Sequence, residues 1–373
     1  MKGAVKILTA FNIPVFVHWS FGLILVYILY IAKAEGFNFE QTVWSLLTVL
    51  GLFVCVTLHE YGHALAARRY GVGTRDIALY PIGGVARLER LPKKPLQEFV
   101  VAIAGPLVNF AIVILLLPYL YFFPEHLDTF LNNLNESHGL ATTAVAILPA
   151  MFALNLILGI FNLIPAFPMD GGRILRALLA VKLSRVKATL IAARVGQAFA
   201  LLAVFFAFTS DQASPMTGLI GIFIFMMAQQ EYRFVKTEAK LNESTVGDIM
   251  RRTFTRFFPQ EPMYSAVNEV KKKIERNFLV FNQEDKLTGL LTEQGIIRAM
   301  KEGRRTAEVR EFMTPRVVAV TPETTLQQLY EVMQDGFPIC PVMQGNEVIG
   351  VADIAGMNDF LRSSRKPRAK RVI

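Results

Sequence analysis

Long runs without charged residues are the feature that most constrains how this chain can fold. Residues 46–58 carry no charge, and similar apolar runs recur through the first 230 residues. About 20 apolar residues in a helix cross a hydrocarbon core ~30 Å thick. Only 18% of the residues are charged, below the ~25% of a soluble domain. We therefore predict a polytopic α-helical membrane domain with six transmembrane helices, at residues 14–32, 42–67, 99–123, 142–164, 192–208 and 215–228.

Basic residues are distributed unevenly among the loops between these spans. Lysine and arginine cluster at 68–94 and at 173–187, whereas the loop after the third span carries Glu125, Asp128 and Glu136. Basic loops stay on the cytoplasmic side of a membrane. Both termini are therefore predicted to be cytoplasmic. The net charge of +9 is attributed to these loops and to a basic C-terminal tail, and no nucleic-acid partner is expected.

Two histidines at the end of the second predicted span form a metal-binding pattern. His59 and His63 are four residues apart, so both project from one face of a helix and reach one tetrahedral zinc ion. Glu60 lies beside the first histidine and is suited to act as general base on a zinc-bound water. His59 follows Thr42 by 17 residues, or ~25 Å of helix. This spacing predicts a metal site near the cytoplasmic boundary.

A second polar motif follows the fourth span at residues 162–172. Pro165 and Pro168 prevent an ordinary helix from continuing, so the chain turns back and brings Asp170 to the depth of the two histidines. A carboxylate is a suitable third zinc ligand and leaves the fourth position for water. The glycines after Asp170 give the backbone freedom to aim it. The alternative is that Asp170 only caps the helix that follows it.

The segment 74–91 carries strand-forming residues around Pro81, Gly83 and Gly84. This pattern predicts a hairpin or re-entrant loop near the metal site. One interpretation is an edge strand that pairs with an extended peptide, with Gly83 and Gly84 in contact with substrate. The other is a cytoplasmic connector without a binding role.

The composition changes at Glu231. Residues 1–230 form the predicted membrane domain, 231–244 a charged and polar linker, and 245–373 a soluble domain with a basic tail. Within the last segment, residues 246–250 resemble 309–313 at an offset of 63. Strand-like and helical runs alternate in each half, so two α+β halves are predicted to form one module.

The first 230 residues resemble the site-2 protease family of intramembrane zinc metalloproteases. The resemblance rests on the His-Glu-x-x-His motif in an apolar helix and on an Asn-x-x-Pro…Asp-Gly pattern at 162–172. It implies one zinc ion per chain. The site residues that it implies are His59, His63 and Asp170 as zinc ligands, Glu60 as the residue that activates water, and Asn162 and Pro165 as substrate contacts.

The C-terminal module resembles a tandem pair of cystathionine-β-synthase-type (CBS) domains, many of which bind adenine nucleotides through a Gly-x-x-Ser/Thr-x-x-Asp stretch. In the first repeat Thr292 is present, but Gly295 replaces the acid. In the second, Asp353 replaces the hydroxyl residue and Gly356 replaces the acid. We therefore expect weak ATP binding or none. Docking of substrate or a partner subunit, including a second copy of the chain, is the alternative role.

These features together predict an intramembrane zinc endopeptidase of a prokaryotic cell membrane. Its partners would be the lipid bilayer and a membrane protein whose transmembrane helix it cleaves near the cytoplasmic side. A CBS-regulated transporter or channel is the first alternative, but it does not explain ligands that converge from two helices. A zinc-binding pseudoprotease is the second, and the presence of Glu60 argues against it.

Overall fold

The computed structural model describes residues 3–81, 83–90, 92, 94–132, 141–209, 215–272 and 275–363. The chain divides into two compact units, Met1–Arg233 and Phe234–Ile373. Ile82 and Leu91 of the predicted hairpin segment, and residues 364–373 of the predicted basic tail, lie outside the described residues.

The first unit begins with strands where the sequence predicted a helix. Strand β1 (Ala4–Ala10) pairs antiparallel with β2 (Ile13–His18). Phe11 and Asn12 between them have φ angles of 51° and 60°, as a two-residue type I′ hairpin requires. The predicted helical span at 14–32 is therefore wrong in its first part. Hydropathy alone does not distinguish a buried strand from a helix. In the structure, alternate residues at the start of β2 are buried, as is typical of a strand.

Two further strands complete a four-stranded sheet. Strand β3 (Thr74–Tyr80) lies parallel to β2 and antiparallel to β4 (Gly83–Leu88). The order of the sheet is β1-β2-β3-β4, which leaves β4 at an edge. The predicted hairpin between residues 74 and 88 is thus confirmed.

In the part of the chain that the structure describes, α-helices precede and follow the two later strands of this sheet along the sequence. Their bounds are α1 Gly22–Ala34, α2 Phe39–Arg69, α3 Pro95–Phe122, α4 Pro124–Asn132, α5 Ile147–Leu163, α6 Asp170–Ala180, α7 Arg185–Thr209 and α8 Pro215–Glu243.

Among the described residues, four helices are long and apolar enough to cross a membrane. They are α2, α3, α5 with the short turn before it, and α7. They correspond to the second to fifth predicted spans, whereas the count of six is not confirmed. Helix α1 has 13 residues, or ~20 Å at 1.5 Å per residue, which is shorter than the hydrocarbon core. Helix α8 extends from the sixth predicted span through the predicted linker, so residues 231–243 are helical.

The second unit contains two α+β halves, as predicted. The first half contains β5 (Arg256–Phe257), α9 (Met263–Lys271), β6 (Phe278–Phe281), β7 (Leu287–Leu291) and α10 (Glu293–Lys301). The second contains α11 (Leu326–Gln334), β8 (Ile339–Gln344), β9 (Glu347–Asp353) and α12 (Ile354–Arg362).

The two halves exchange backbone hydrogen bonds reciprocally. Arg251, before the first half's strands, pairs with Val351 in β9 through two hydrogen bonds of 2.9 Å. Thr314, its counterpart at the offset of 63, pairs with Leu290 in β7 through two hydrogen bonds of 2.8 Å. Each half therefore supplies a segment that extends the other half's sheet.

Candidate active site

Helix α2 brings the two predicted histidine ligands onto one face. The Nε2 atoms of His59 and His63 lie 3.1 Å apart. Both residues are 5% exposed, so the cluster is shielded from solvent. One turn of helix separates the two residues, as the spacing predicted.

The chain reaches the histidines a second time at the start of α6. Helix α5 ends before Pro165, and short turns lead to α6, whose first residue is Asp170. Asp170 Oδ2 lies 3.2 Å from His59 Nε2 and 3.1 Å from His63 Nε2. These three residues form the group able to hold a metal ion among the residues that the structure describes.

The alternative role of Asp170 as a helix cap is not supported. The N-cap position of α6 is Met169, and no side chain makes a capping hydrogen bond there. Gly171, which follows Asp170, was predicted to give the backbone freedom, but its main role is to let two parts of the chain approach closely. A Cβ atom on Gly171 would lie 2.2 Å from the carbonyl oxygen of Ile164. Only glycine permits this close return of the chain, which aims the Asp170 carboxylate at the histidines.

The three donor atoms fit a zinc ion. A tetrahedron with bonds of 2.0–2.1 Å has edges of ~3.3 Å, close to the distances among these atoms. Asp170 lies outside the four candidate spans. Burial opposes its charge, but the facing His63 and His59 outweigh this effect and hold the pKa of the carboxyl below its usual range. A carboxyl group binds a metal ion in its ionised form.

Helix α3 orients both imidazole rings through their other nitrogen atoms. His59 Nδ1 lies 2.5 Å from Asn109 Oδ1, and His63 Nδ1 lies 2.7 Å from the carbonyl oxygen of Val101. Both acceptors require a proton on Nδ1, which leaves Nε2 free to bind a metal. Asn109 in turn donates to Asn155 Oδ1 on α5 at 2.9 Å.

Asn109 and Asn155 are therefore site residues whose roles the sequence did not reveal. Neither residue belongs to the sequence motifs described above. Both are fully buried. A buried amide inside an apolar helix needs a hydrogen-bond partner, and this requirement is the signal that could have identified them.

Close packing between α2 and α3 makes these contacts possible. A Cβ atom on Gly62 in α2 would lie 2.7 Å from the carbonyl oxygen of Ala104. A Cβ atom on Gly105 in α3 would lie 2.2 Å from His63 Nε2 and 2.7 Å from His59 Nε2. The two helices thus approach each other at positions without side chains, and the space beside the ligands depends on Gly105.

Glu60 points from α2 toward the edge of the sheet. Its Oε2 accepts a hydrogen bond of 2.8 Å from the backbone N–H of Ala86 in β4. Gly84 in the same strand packs so closely that a Cβ atom there would lie 2.9 Å from Glu60 Cγ. The predicted strand therefore lies beside the predicted base. Gly83 begins β4 with a φ of 135°, a conformation that favours glycine.

The two remaining predicted substrate contacts are Asn162 and Pro165. Asn162 is half-buried in the last turn of α5, and Pro165 is half-buried in the turn that follows. Within the described part of the chain, no hydrogen bond or ion pair connects either residue with the histidines or Asp170.

The residues at the two nucleotide-motif positions of the C-terminal module, Thr292 and Asp353, cap helices. The side chain of Thr292 caps α10 through the N–H of Gly295 at 3.2 Å. Asp353 caps α12 through the N–H of Gly356 at 2.7 Å, and its other oxygen lies 2.7 Å from Arg251 Nη2. Both side chains are already engaged within the protein.

Comparisons with known proteins agree with this arrangement. The model of peptidase family M50 matches residues 47–203, and the CBS domain model matches 246–302 and 309–355. A protein of Methanocaldococcus jannaschii named as a zinc metalloprotease is 33% identical over 97% of this chain and 96% of its own length. Stage IV sporulation protein FB of Bacillus subtilis is 24% identical over 72% of this chain and 88% of its own length.

The solved site-2 protease of Methanocaldococcus jannaschii is also similar. It shares 37% identity, and the match covers 61% of this chain and 95% of that structure, with a TM-score of 0.44. The similarity to the full-length relative from the same organism spans both the membrane unit and the C-terminal module. Because this relative is 33% identical over 97% of the chain, the chain belongs to the site-2 protease family, peptidase family M50. It is a zinc metalloendopeptidase with membrane-type helices and a C-terminal CBS pair.

Proposed function

We propose that this protein cleaves a peptide bond in the transmembrane helix of another membrane protein, near the cytoplasmic side. The observation that carries the proposal is the convergence of three buried ligand atoms at one end of α2, with a carboxylate beside them that faces a strand edge. A peptidase needs this combination. A transporter or channel does not, and membership of a metalloprotease family argues against that alternative.

His59, His63 and Asp170 are the proposed zinc ligands. Zinc in such a site polarises a carbonyl and lowers the pKa of a bound water. The protein's own contribution is orientation. Asn109 and the Val101 carbonyl hold the protons of both imidazoles on Nδ1, so that the Nε2 atoms are available as ligands.

Glu60 is the proposed general base. Its carboxylate takes a proton from the attacking water and passes it to the nitrogen atom of the leaving amine. The hydrogen bond from the Ala86 N–H holds the Glu60 carboxylate in one orientation. The same hydrogen bond ties the base to the strand that is the proposed docking edge for substrate.

The edge of β4 is suited to bind an extended peptide. The N–H of Glu89 donates to the carbonyl oxygen of Gly73 at 2.9 Å, so amides at odd positions face β3. In a strand the amides alternate in direction, which places those of Gly84, Ala86 and Leu88 on the free edge. A peptide that pairs there lies beside Glu60, and it takes the Ala86 N–H from the carboxylate as it binds.

A transmembrane helix must be opened before it is cleaved, because its carbonyl groups are hydrogen-bonded and sterically shielded. Pairing with β4 replaces the lost helical hydrogen bonds by strand hydrogen bonds. Gly83 and Gly84 present backbone without side chains to the peptide. Asn162 and Pro165, in the segment before Asp170, are the other proposed substrate contacts, and an amide at Asn162 suits a developing oxyanion.

Both termini are proposed to be cytoplasmic. The clustering of basic residues at 68–94 and 173–187 supports this orientation. Helix α2 then enters at Phe39 from the outer side, and the metal site lies near the inner side. Homo-oligomers through the CBS pair are a further proposal, supported by the resemblance of this module alone.

The space beside the ligands can be tested with Gly105→Ala. Alanine favours a helix over glycine by ~1 kcal/mol, so the helix should form, but the added Cβ would collide with both imidazoles. We expect the purified protein to lose most of its zinc, as His59→Ala should, when metal content is measured by mass spectrometry. Gly22→Ala is the control, because a Cβ atom there meets nothing within 4 Å. Full zinc content in Gly105→Ala and His59→Ala would exclude this site.

Replacement of Glu60 by glutamine should abolish cleavage without loss of zinc. The substitution keeps the shape of the side chain and removes the base, which contributes ~10²–10⁴-fold to catalysis. Wild type and Glu60→Gln would be co-expressed with a tagged single-span substrate, and the shortened product would be followed on a gel. Cleavage by the variant near the wild-type rate would overturn the role of Glu60. A pseudoprotease predicts no product from either protein.

The edge of β4 can be tested with proline. Proline is tolerated on an edge strand where its nitrogen faces outward, so Ala86→Pro removes the N–H without breaking the pairing with β3. The lost hydrogen bond to the peptide is worth ~0.5–1.5 kcal/mol, and kcat/KM should fall by about 2–10-fold. Leu88→Pro removes another amide of the same edge, away from Glu60, and should lower kcat/KM to a similar extent. An effect of Ala86→Pro alone would point to the orientation of Glu60 and not to peptide pairing. Equal activity of Ala86→Pro and wild type would refute the docking edge.

The orientation can be tested by labelling introduced cysteines in sealed vesicles. The native Cys55 and Cys340 are buried and give the background. A membrane-impermeant maleimide should modify Lys94→Cys from the cytoplasmic side and Asp128→Cys from the opposite side. Labelling of both positions from one side would contradict the proposed topology.

A further inference from the structure

A buried arginine lies on α6, the helix that begins with Asp170. Arg176 is fully buried. Its Nε donates to Glu98 Oε1 at 2.7 Å, and its Nη1 donates to Glu231 Oε1 at 2.5 Å. The guanidinium also lies 5.1 Å from the centroid of the Phe167 ring. A charge removed from water is destabilising unless opposite charges compensate it, and here two carboxylates do so.

The first of these carboxylates lies on the helix that orients the histidines. Glu98 is in the first turn of α3, three residues before Val101. The same helix carries Asn109, so α3 holds the Nδ1 atoms of both His59 and His63. The contact between Glu98 and Arg176 therefore connects the helix that orients two proposed ligands with the helix that supplies the third.

The second carboxylate, that of Glu231, fixes the orientation of the Arg176 guanidinium. Glu231 lies on α8, so the planar guanidinium is held from two helices at once. A guanidinium held by two carboxylates fixes its orientation as well as its position. Helix α6 has only 11 residues, and Arg176 is six residues from Asp170, or ~9 Å along the axis. A shift of this short helix along α3 would displace the carboxylate of Asp170.

We infer that Arg176 is a positioning residue that holds α6 in register with α3, so that the Asp170 carboxylate meets His59 and His63. The inference rests on the proposed metal site. It does not require that the ion cluster stabilise the protein, because buried ion pairs can often be replaced by apolar groups of similar volume without loss of stability. Arg176 itself does not contact the reacting atoms.

The test is a neutral triple variant, Arg176→Met with Glu98→Gln and Glu231→Gln, in the full-length protein in detergent. It removes the charges of Arg176 and its two carboxylates at similar side-chain volume, and it leaves Arg185, whose Nη2 lies 3.8 Å from Glu98 Oε2, as the remaining charge beside them. Three quantities would be measured: the midpoint of thermal unfolding, the rate of zinc release to a chelator, and kcat and KM with a single-span substrate. We expect an unfolding midpoint near that of wild type, zinc release about 10–100-fold faster, and a loss mainly in kcat.

A second polar pair, of which Gln197 is buried and Gln229 half-buried, supplies the control. Gln197 Nε2 donates to Gln229 Oε1 at 3.0 Å between α7 and α8, which carry no proposed ligand. Gln197→Met with Gln229→Leu should leave zinc release unchanged. Arg176→Lys keeps the charge without the planar fork and should release zinc at a rate between those of wild type and the triple variant.

Zinc release from the triple variant at the wild-type rate would overturn the inference. If the triple variant does not fold, Arg176→Lys decides the question, and zinc release from it at the wild-type rate overturns the inference equally. Wild-type protein that holds zinc but does not cleave the substrate would refute the proposed function only, because the comparison of zinc release does not depend on cleavage.

Discussion

The close contact between α2 and α3 is the constraint on which the membrane unit depends. Gly62 and Gly105 allow backbone to meet backbone and side chain where any Cβ atom would collide. Close approach of helices at small residues is the usual way in which membrane helices associate, since the lipid gives little hydrophobic driving force. Here the approach has a chemical consequence, because it places the acceptors of α3 within hydrogen-bond distance of the histidines on α2.

The buried polar side chains between α2, α3 and α5 form a chain in which each has a hydrogen-bond partner. His59 contacts Asn109, Asn109 donates to Asn155, and Asn155 donates to the carbonyl oxygen of Met151 at 2.8 Å. In a medium of low polarity each unpaired group would be costly. The chain of partners therefore fixes the ring of His59 from three helices. A substitution at Asn155 should therefore change the orientation of the His59 ring, because Asn109 connects the two residues.

The sequence predicted the parts of the site that depend on local geometry. The spacing of His59 and His63 requires only a regular helix, and the return of Asp170 requires an end of the preceding helix near Pro165 and a glycine at position 171. It did not reveal the acceptors of α3, because Asn109 is 50 residues from His59 and nothing local encodes their contact. Hydropathy also assigned residues 14–18 to a helix. These residues form a strand because β3, far along the chain, supplies the neighbour for β2.

The reciprocal pairing within the C-terminal module makes each half depend on the other. Arg251 extends the sheet that contains Val351, and Thr314 extends the sheet that contains Leu290. Neither half completes its own sheet. Either half alone would leave a strand edge with unpaired N–H and C=O groups open to another chain. Within the tandem pair each half covers the edge of the other, so the repeat itself protects the module from edge-to-edge association.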